Sequence, residues 1–416
     1  MHMQVVGIIA EYNPFHYGHA HQIAQVRRRH PDVCIVAVMS GSFTQRGTPC
    51  LLDKWTRAGH AVAGGADLVL ELPFAFACRS AQDFARGGIS LLAHLGVVSH
   101  LAFGMEAEEL APLTALAAQI DTDVVQMRLH AGLSDGLSYA GALTRALTCT
   151  VDVCEDMLRA PNNILAIEYM RALRSLAPQI VPIGIRRTAA QHDDTRLRRG
   201  ITSASSIRKA LGASPPPWAE LEVCVMPSVL DDLQKAYHTG IPREDTLIEL
   251  LRYLLLVTES SARAEIYGIT EGIENRLIHC LETAERYTDF LLKTATKRYP
   301  QSRIARLIVH LLLHFQKTQA AYFDASGVSY IRPLAFNMCG RTLLHAIKKA
   351  SPLPIVTRTA AFLSTQERGR GERLSPLQQM LSFDTRATEL RLLTQPMAAM
   401  LRRRTDFITS PKFISI

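Results

Sequence analysis

The apolar positions of this chain follow two different rhythms. Over the first 216 residues, short runs of consecutive apolar, largely β-branched residues alternate with longer segments of helical period. Val5–Ala10, Val33–Met39, Asp67–Leu72, Val97–Phe103 and Ile180–Ile185 read as strands covered on both faces. Between them, a helix starting near Gly18 and the segments Lys54–Ala63, Ala81–Leu95, Glu106–Gln119, Ser138–Leu147 and Asn163–Leu176 read as helices. Strands separated by helices predict an α/β unit with a parallel sheet and right-handed crossovers. In such sheets a ligand lies beyond the carboxyl ends of the strands. Ser214-Pro215-Pro216-Pro217 is a stiff break. After it the pattern turns helical, with long periodic segments at Leu247–Val257, Ile273–Glu285 and Arg303–Phe315. The predicted division is therefore an α/β domain over residues 1–213 and a mainly α-helical region over 214–416.

Composition narrows the class. Apolar residues make up 48% and charged residues 20% of 416, the balance of a globular protein with a large core. No apolar run reaches the roughly 18 residues of a membrane span, and no basic-then-apolar leader opens the chain. Eight cysteines are scattered without a C-x-x-C pair, which predicts reduced thiols in a cytoplasmic protein and no zinc site. The net charge of +8 is unevenly spread: residues 217–292 hold 6 Lys/Arg against 14 Asp/Glu, whereas residues 293–416 hold 20 against 6. The basic end is a candidate surface for a polyanion such as RNA, and a solvated basic face is the competing reading.

The candidate chemistry begins where the first strand ends. In "MQVVGIIAEYNPFHYGH" the strand stops at Ala10, Asn13-Pro14 turns the chain, and a helix starts near Gly18. Free amides at that helix start predict an anion site, Gly18 would let a ligand lie against the backbone, and His16 and His19 would donate to phosphate oxygens. Two other readings compete: His16, His19 and His21 as metal ligands, or as ordinary packing and surface histidines. "SGSFTQRG" (Ser40–Gly47) follows the second strand, with Gln45 and Arg46 able to reach an anion. Asp53 reads as a helix N-cap. "FGME" (Phe103–Glu106) places Gly104 after a strand. "PNNILAIEY" starts a helix with Asn162, either a reader of an adenine edge or a capping residue. "IGIRRT" ends the last strand with Arg186 and Arg187. "ITSASSIRKAL" puts three serines before a helix that carries Arg208, a second helix start suited to phosphate.

These motifs carry a resemblance. H-x-G-H after the first strand and a late S-x-[ST]-x-I-R helix start resemble the nucleotidylyltransferases related to class I aminoacyl-tRNA synthetases. More narrowly, "GIIAEYNPFHYGH", "SGSFTQRGTP", "DKWTRAGHAVAGGADLVLELPFAF", "FGME", "PNNILAIEY" and "SASSIRKAL" are similar to the bacterial tRNA(Met) cytidine acetate ligase family. Later islands are "EGIENRL", "TKRYPQSRIARL" and "YIRPLAFN". The resemblance implies a Rossmann-like nucleotidylyltransferase domain. It also implies a reaction in which acetate and ATP form acetyl-adenylate with release of pyrophosphate. The wobble cytidine of elongator tRNA(Met) then takes the acetyl group, giving N4-acetylcytidine. Motif by motif, the implied ATP site is Gly7, Ile8, Ile9, Ala10, Glu11, Tyr12, Asn13, Pro14, Phe15, His16, Tyr17, Gly18, His19, Ala20, Gly104, Asn162 and Arg187, with Arg186 beside it. His16, His19 and Arg208 are the implied catalytic residues, Lys297 and Arg298 the implied tRNA contacts, and magnesium the expected companion of the triphosphate. No resident metal is expected. The chain departs from the family pattern at Tyr17 (usually Asn), at Met105 (usually Ser), at Ala204-Ser205-Ser206 (usually Ala-Thr-Ala) and in "RRTAAQHDD", which lacks glycines before its His-Asp pair. Two other functions fit the same residues: a nucleotidylyltransferase for a small phosphorylated metabolite, and a tRNA-binding protein without catalysis.

Overall fold

A computed structural model describes residues 4–150, 157–158, 160–187, 202–270, 272–370, 374–396 and 405–415. Its centre is a seven-stranded sheet in the order β5-β4-β1-β2-β3-β6-β7. The strands are β1 (Val5–Ala10), β2 (Cys34–Ser40), β3 (Leu68–Leu72), β4 (His100–Met105), β5 (Val181–Arg186), β6 (Pro333–Phe336) and β7 (Lys412–Phe413). The first five pair in parallel, as the alternation of runs requires, and lie within three residues of the positions expected from sequence. From β1 the chain winds outward through β2 and β3, then returns to place β4 and β5 on the other side. The order reverses between β1 and β4, so the crevice at their carboxyl ends is the topological switch point where such sheets bind ligands.

The helices used below are α1 (Tyr17–Arg29), α2 (Lys54–Ala63), α3 (Ala81–His94), α4 (Pro161–Leu176), α5 (Ala204–Leu211), α6 (Asp245–Val257), α7 (Gln301–Leu313), α8 (Met338–Ala350), α9 (Pro376–Leu393) and α10 (Thr405–Ile408). Period-two alternation splits each central strand between two cores: Val5 and Ile9 face the α3 side, Val6 and Ile8 the α1–α2 side. Gly7 sits in the middle of β1 because a side chain there would meet Leu92 of α3 at 2.7 Å.

The break at Ser214 changes the sequence pattern but does not end the sheet. The region beyond it is mainly helical, yet β6 returns to pair antiparallel with β3, and β7 adds to β6. These strands are hard to see in sequence. β6 is four residues long and opens on Pro333, which sits where the β3–β6 register shifts, and β7 is two residues long. Asp67 fixes the seam at the amino ends of the strands: its carboxylate accepts from Ile35 N–H (2.7 Å), Arg27 (2.8 Å) and Asn337 (2.9 Å).

At the opposite edge a buried ionic cluster gathers five segments. Lys54 of α2 donates to Glu71 of β3 (2.7 and 2.9 Å) and to Asp406 of α10 (2.6 Å). Arg332 lies 3.1 Å from Glu71 and 2.6 Å from Asp406. Asp384 of α9 accepts from Phe74 N–H (2.7 Å) and from the Tyr330 hydroxyl. All five charged side chains are at most 4% exposed. Three carboxylates face two cations, so one acid lacks a matching positive charge. Burial, with Glu71 close by, pushes the Asp384 carboxyl up to about 7.

A carboxyl raised in the folded state binds its proton more tightly there than in the unfolded chain, so its stabilisation fades as pH rises through about 7. Stability should therefore fall by about 1 kcal/mol between pH 6.5 and 8 from this group alone. Asp384→Asn keeps an acceptor for Phe74 N–H and should flatten that slope in pH-dependent urea denaturation.

Candidate nucleotide site

The chain between β1 and α1 is held by backbone and side-chain contacts that leave it little freedom. Glu11 O accepts from Arg57 (2.6 Å), and that buried guanidinium also serves the carbonyls of Ser40, Gly41 and Leu52. Tyr12 adopts a left-handed backbone (φ 48°), and a cis Asn13-Pro14 bond follows. Asn13 Oδ1 accepts from Leu51 N–H (2.8 Å), and Asn13 O accepts from Arg208 Nη1 (2.6 Å). Phe15 is buried over Gly64, where a Cβ would meet its ring at 2.3 Å.

His16 is the N-cap of α1. Its Nδ1 accepts from Gly18 N–H (3.0 Å), while His16 N–H donates to His19 Nδ1 (3.3 Å). The two rings stack with centroids 3.8 Å apart, and Tyr12 packs edge-on against His19 at 4.9 Å. With both Nδ1 atoms accepting, each neutral imidazole carries its proton on Nε2 and keeps that N–H as a donor. Burial, then the charges of Arg187 and Arg208, lowers His16 to about 3; burial, His16 and Arg187 hold His19 well below its ordinary value.

This geometry corrects two expectations from the sequence. The first-turn amides of α1 are not free: Tyr17 N–H donates to Cys224 O (3.1 Å), Gly18 N–H to His16 Nδ1, and His19 and Ala20 N–H to His16 O. The donors this turn can offer an anion are imidazole N–H groups, because an aromatic N-cap has taken the backbone ones. Nor is the space over Gly18 open. A Cβ there would lie 2.8 Å from the His16 ring, so the glycine makes room for the imidazole that caps it. The three histidines do not converge as metal ligands either, since His21 is exposed and pairs with Gln25.

Across the switch point, Arg187 extends β5 through a bond from its N–H to Met105 O (2.9 Å). Its side chain lies over Gly104, where a Cβ would meet the Arg187 stem at 3.3 Å. Arg186 turns the other way and pairs with exposed Glu108 (2.8 Å). Arg208 comes from α5, whose N-cap Ser203 accepts from Ser206 N–H (3.1 Å). His16, His19, Gly104, Arg187 and Arg208 thus come together. Gly7, Ile8 and Ile9 lie inside the sheet and act by carrying the turn that follows. Ala10 and Ala20 flank that turn, Pro14 and Phe15 shape it, and Tyr17 is the exposed first residue of α1.

Asn162 is neither N-cap nor unattached. Its amide donates to Glu106 Oε1 (2.5 Å), while Glu106 Oε2 accepts from Asn163 N–H (2.9 Å). Buried Asn163 reciprocates by accepting from the N–H groups of Glu106 and Ala107 (2.9 and 3.0 Å). This exchange docks α4 on the end of β4, and it escapes sequence reading because a glutamate before one helix gives no sign of capping another. Asp53 does cap α2, accepting from Thr56 N–H (2.9 Å). Lys297 is exposed and Arg298 half-buried in the turn before α7, both on the helical side of the molecule. Of "RRTAAQHDD", the residues after Arg187 lie outside the described ones.

A parallel sheet with paired histidines after its first strand, arginines opposite them, and a glycine on the intervening strand defines a nucleotidylyltransferase. The HIGH Nucleotidyl Transferase family model matches residues 3–405. The tRNA(Met) cytidine acetate ligase of Syntrophomonas wolfei is 33% identical over 417 residues, covering 98% of this chain and 99% of that protein. That of Anoxybacillus flavithermus is 37% identical over 364 residues, 85% and 89% of the two chains. A crystal structure of Thermotoga maritima TmcAL bound with alpha-thio ATP superposes with a TM-score of 0.88 at 28% identity, covering 100% of both chains. The chain belongs to the tRNA(Met) cytidine acetate ligase family.

The capping arrangement predicts that His16 stays neutral across the physiological range. Its ring resonances in NMR should not titrate between pH 5 and 8, where a solvated histidine changes charge near 6.5. A histidine with a lowered folded value contributes stability above about 6.5 that is lost as pH falls toward 3. Gly18→Ala should expel the ring and restore titration near the solvated value.

Proposed function

We propose that this chain activates acetate with ATP and acetylates the wobble cytidine of elongator tRNA(Met). The observation that supports it most directly is the pair of Nδ1-anchored imidazoles whose Nε2–H donors lie beside Arg187 and Arg208 at the switch point. An acetate oxygen attacks the α-phosphorus; the new P–O bond gives acetyl-adenylate as the bond to pyrophosphate breaks. His16 and His19 donate to phosphate oxygens as charge builds there, and Arg187 and Arg208 offset the charge of the departing pyrophosphate. Neutral imidazoles suit this role, since they donate without a proton to lose at working pH.

Glu11, Tyr12, Asn13 and Gly104 frame the nucleotide. Asn13 Nδ2 and the Tyr12 hydroxyl are buried there without a partner among the described residues. Asn162, held by Glu106, stands at the α4 start on the same edge. Magnesium, if bound with ATP, would offset charge on the triphosphate and would need few protein ligands, since phosphate oxygens and water can supply most of them. Glu106 commits both its oxygens to the start of α4. In the second step the cytidine N4 amine attacks the acetyl carbonyl, an N–C bond forms, AMP leaves and the amine loses a proton. Positioning carries much of this step, with Lys297 and Arg298 holding the RNA backbone. Among the described residues, no helix is long and apolar enough to cross a membrane.

Acetate-dependent exchange between ATP and pyrophosphate tests the first step. His19→Ala should lower it about a hundredfold, the cost of one transition-state donor. Mass spectrometry of elongator tRNA(Met) incubated with protein, ATP and acetate tests the second. Lys297→Gln with Arg298→Gln should weaken tRNA binding and flatten its salt dependence while exchange continues. Exchange that does not require acetate would overturn the assignment of the acid.

A further inference from the structure

We infer that Arg303, Arg306 and Arg46 form a binding track for single-stranded RNA, running from the turn before α7 to the edge of the nucleotide site. The inference rests on the proposed function and adds to it the path by which the reacting loop reaches the site.

The track begins at a fixed turn. Thr296 N–H donates to Tyr299 O (2.9 Å), Tyr299 N–H returns to Thr296 Oγ1 (3.0 Å), and Lys297 projects into solvent. The Tyr299 hydroxyl is tied to Thr270, so its buried ring is stationary. The Arg303 guanidinium lies over that ring, 4.2 Å from its centroid, and reaches Arg298 O only at 3.4 Å. The ring contact restrains this half-buried guanidinium, and an arginine so placed can receive an unstacked base on its plane. One turn on, Arg306 makes a single long bond to Gln45 O (3.4 Å). Neither arginine has a carboxylate partner among the described residues. The nearby acids are engaged elsewhere: Asp324 pairs with Arg79, and Asp83 takes bonds from Ser80, Arg79 and Tyr267.

The Gln45 loop lies directly on this helix. Gly47 has φ 82°, and a Cβ there would come within 2.6 Å of Arg306 N. That contact sets exposed Arg46 beside Arg306. The same loop is fastened to the site, because Gln45 N–H donates to Glu11 Oε1 (2.7 Å), five positions before His16. Cationic side chains therefore follow one another from Lys297 through Arg303 and Arg306 to Arg46, whose loop is tied to Glu11 just after β1. An unstacked RNA loop matches them, with phosphates for Arg46 and Arg306 and a base for the plane of Arg303.

The test uses Arg303→Gln, Arg303→Lys and Arg46→Gln in the full chain, with unmodified elongator tRNA(Met) as the probe. Binding is measured by fluorescence anisotropy across a potassium chloride series. Acetate-dependent pyrophosphate exchange serves as the check on folding. Arg46→Gln should bind about tenfold more weakly with a salt slope shallower by about 0.7, and Arg303→Gln should lose affinity about tenfold with the slope nearly kept. Arg303→Lys should keep the slope and still lose affinity, because it keeps the charge and loses the plane. If the wild type binds and acetylates tRNA but all three variants match it in affinity and slope, the track is wrong and the proposed function stands. If affinity is lost with the slope unchanged in Arg46→Gln, that arginine meets no phosphate and its place on the track is wrong. If the wild type neither binds nor acetylates tRNA while exchange proceeds, the underlying tRNA reading is what has failed.

Discussion

The exchange of hydrogen bonds between His16 and the first turn of α1 is the constraint on which the site depends. One imidazole takes the amide two residues ahead, and the next takes the amide of the first. An ordinary serine or aspartate N-cap satisfies the same donors but leaves no proton-bearing group facing outward. With histidine in both positions, local helix capping and ligand chemistry become one arrangement. The tautomer is set by the backbone, the ring plane by stacking, and neutrality by burial between two arginines. Gly18 belongs to this set for a steric reason: the ring that caps the helix lies where its side chain would be.

The sheet carries that turn to its place, and the C-terminal third of the chain holds the sheet's far edge. β6 and β7 extend it beyond β3, and the Lys54–Glu71–Arg332–Asp384–Asp406 cluster joins those returning segments to the loop edge. A buried cluster of this kind adds little net stability compared with an apolar core, but each member is costly to leave unpaired. It therefore favours one assembly of the segments over others.

Sequence reading went furthest where a pattern is local. The five parallel strands and the helices between them follow from runs and periods, and H-x-G-H identifies the turn that carries the chemistry. It fell short where the deciding contact is distant. Nothing near Glu106 marks it as the anchor of α4, and nothing near Lys54 announces Asp406. The helix-start amides looked available because an N-capping imidazole is uncommon and its reach cannot be read from spacing. The mid-strand residues Gly7 to Ile9 match a family motif, yet their side chains belong to the two cores. β6 and β7 are too short, and one too proline-marked, to register as strands before the edge they complete is known.

The ionic cluster also bears on how the chain is made. Lys54 waits for a partner 352 positions further along, so throughout most of translation the emerging α/β part holds a cation in its interior with only Glu71 to answer it. The outer edge gains its second anion for Lys54 only once the segment around Asp406 has been made. Loss of that segment reaches back to the second helix.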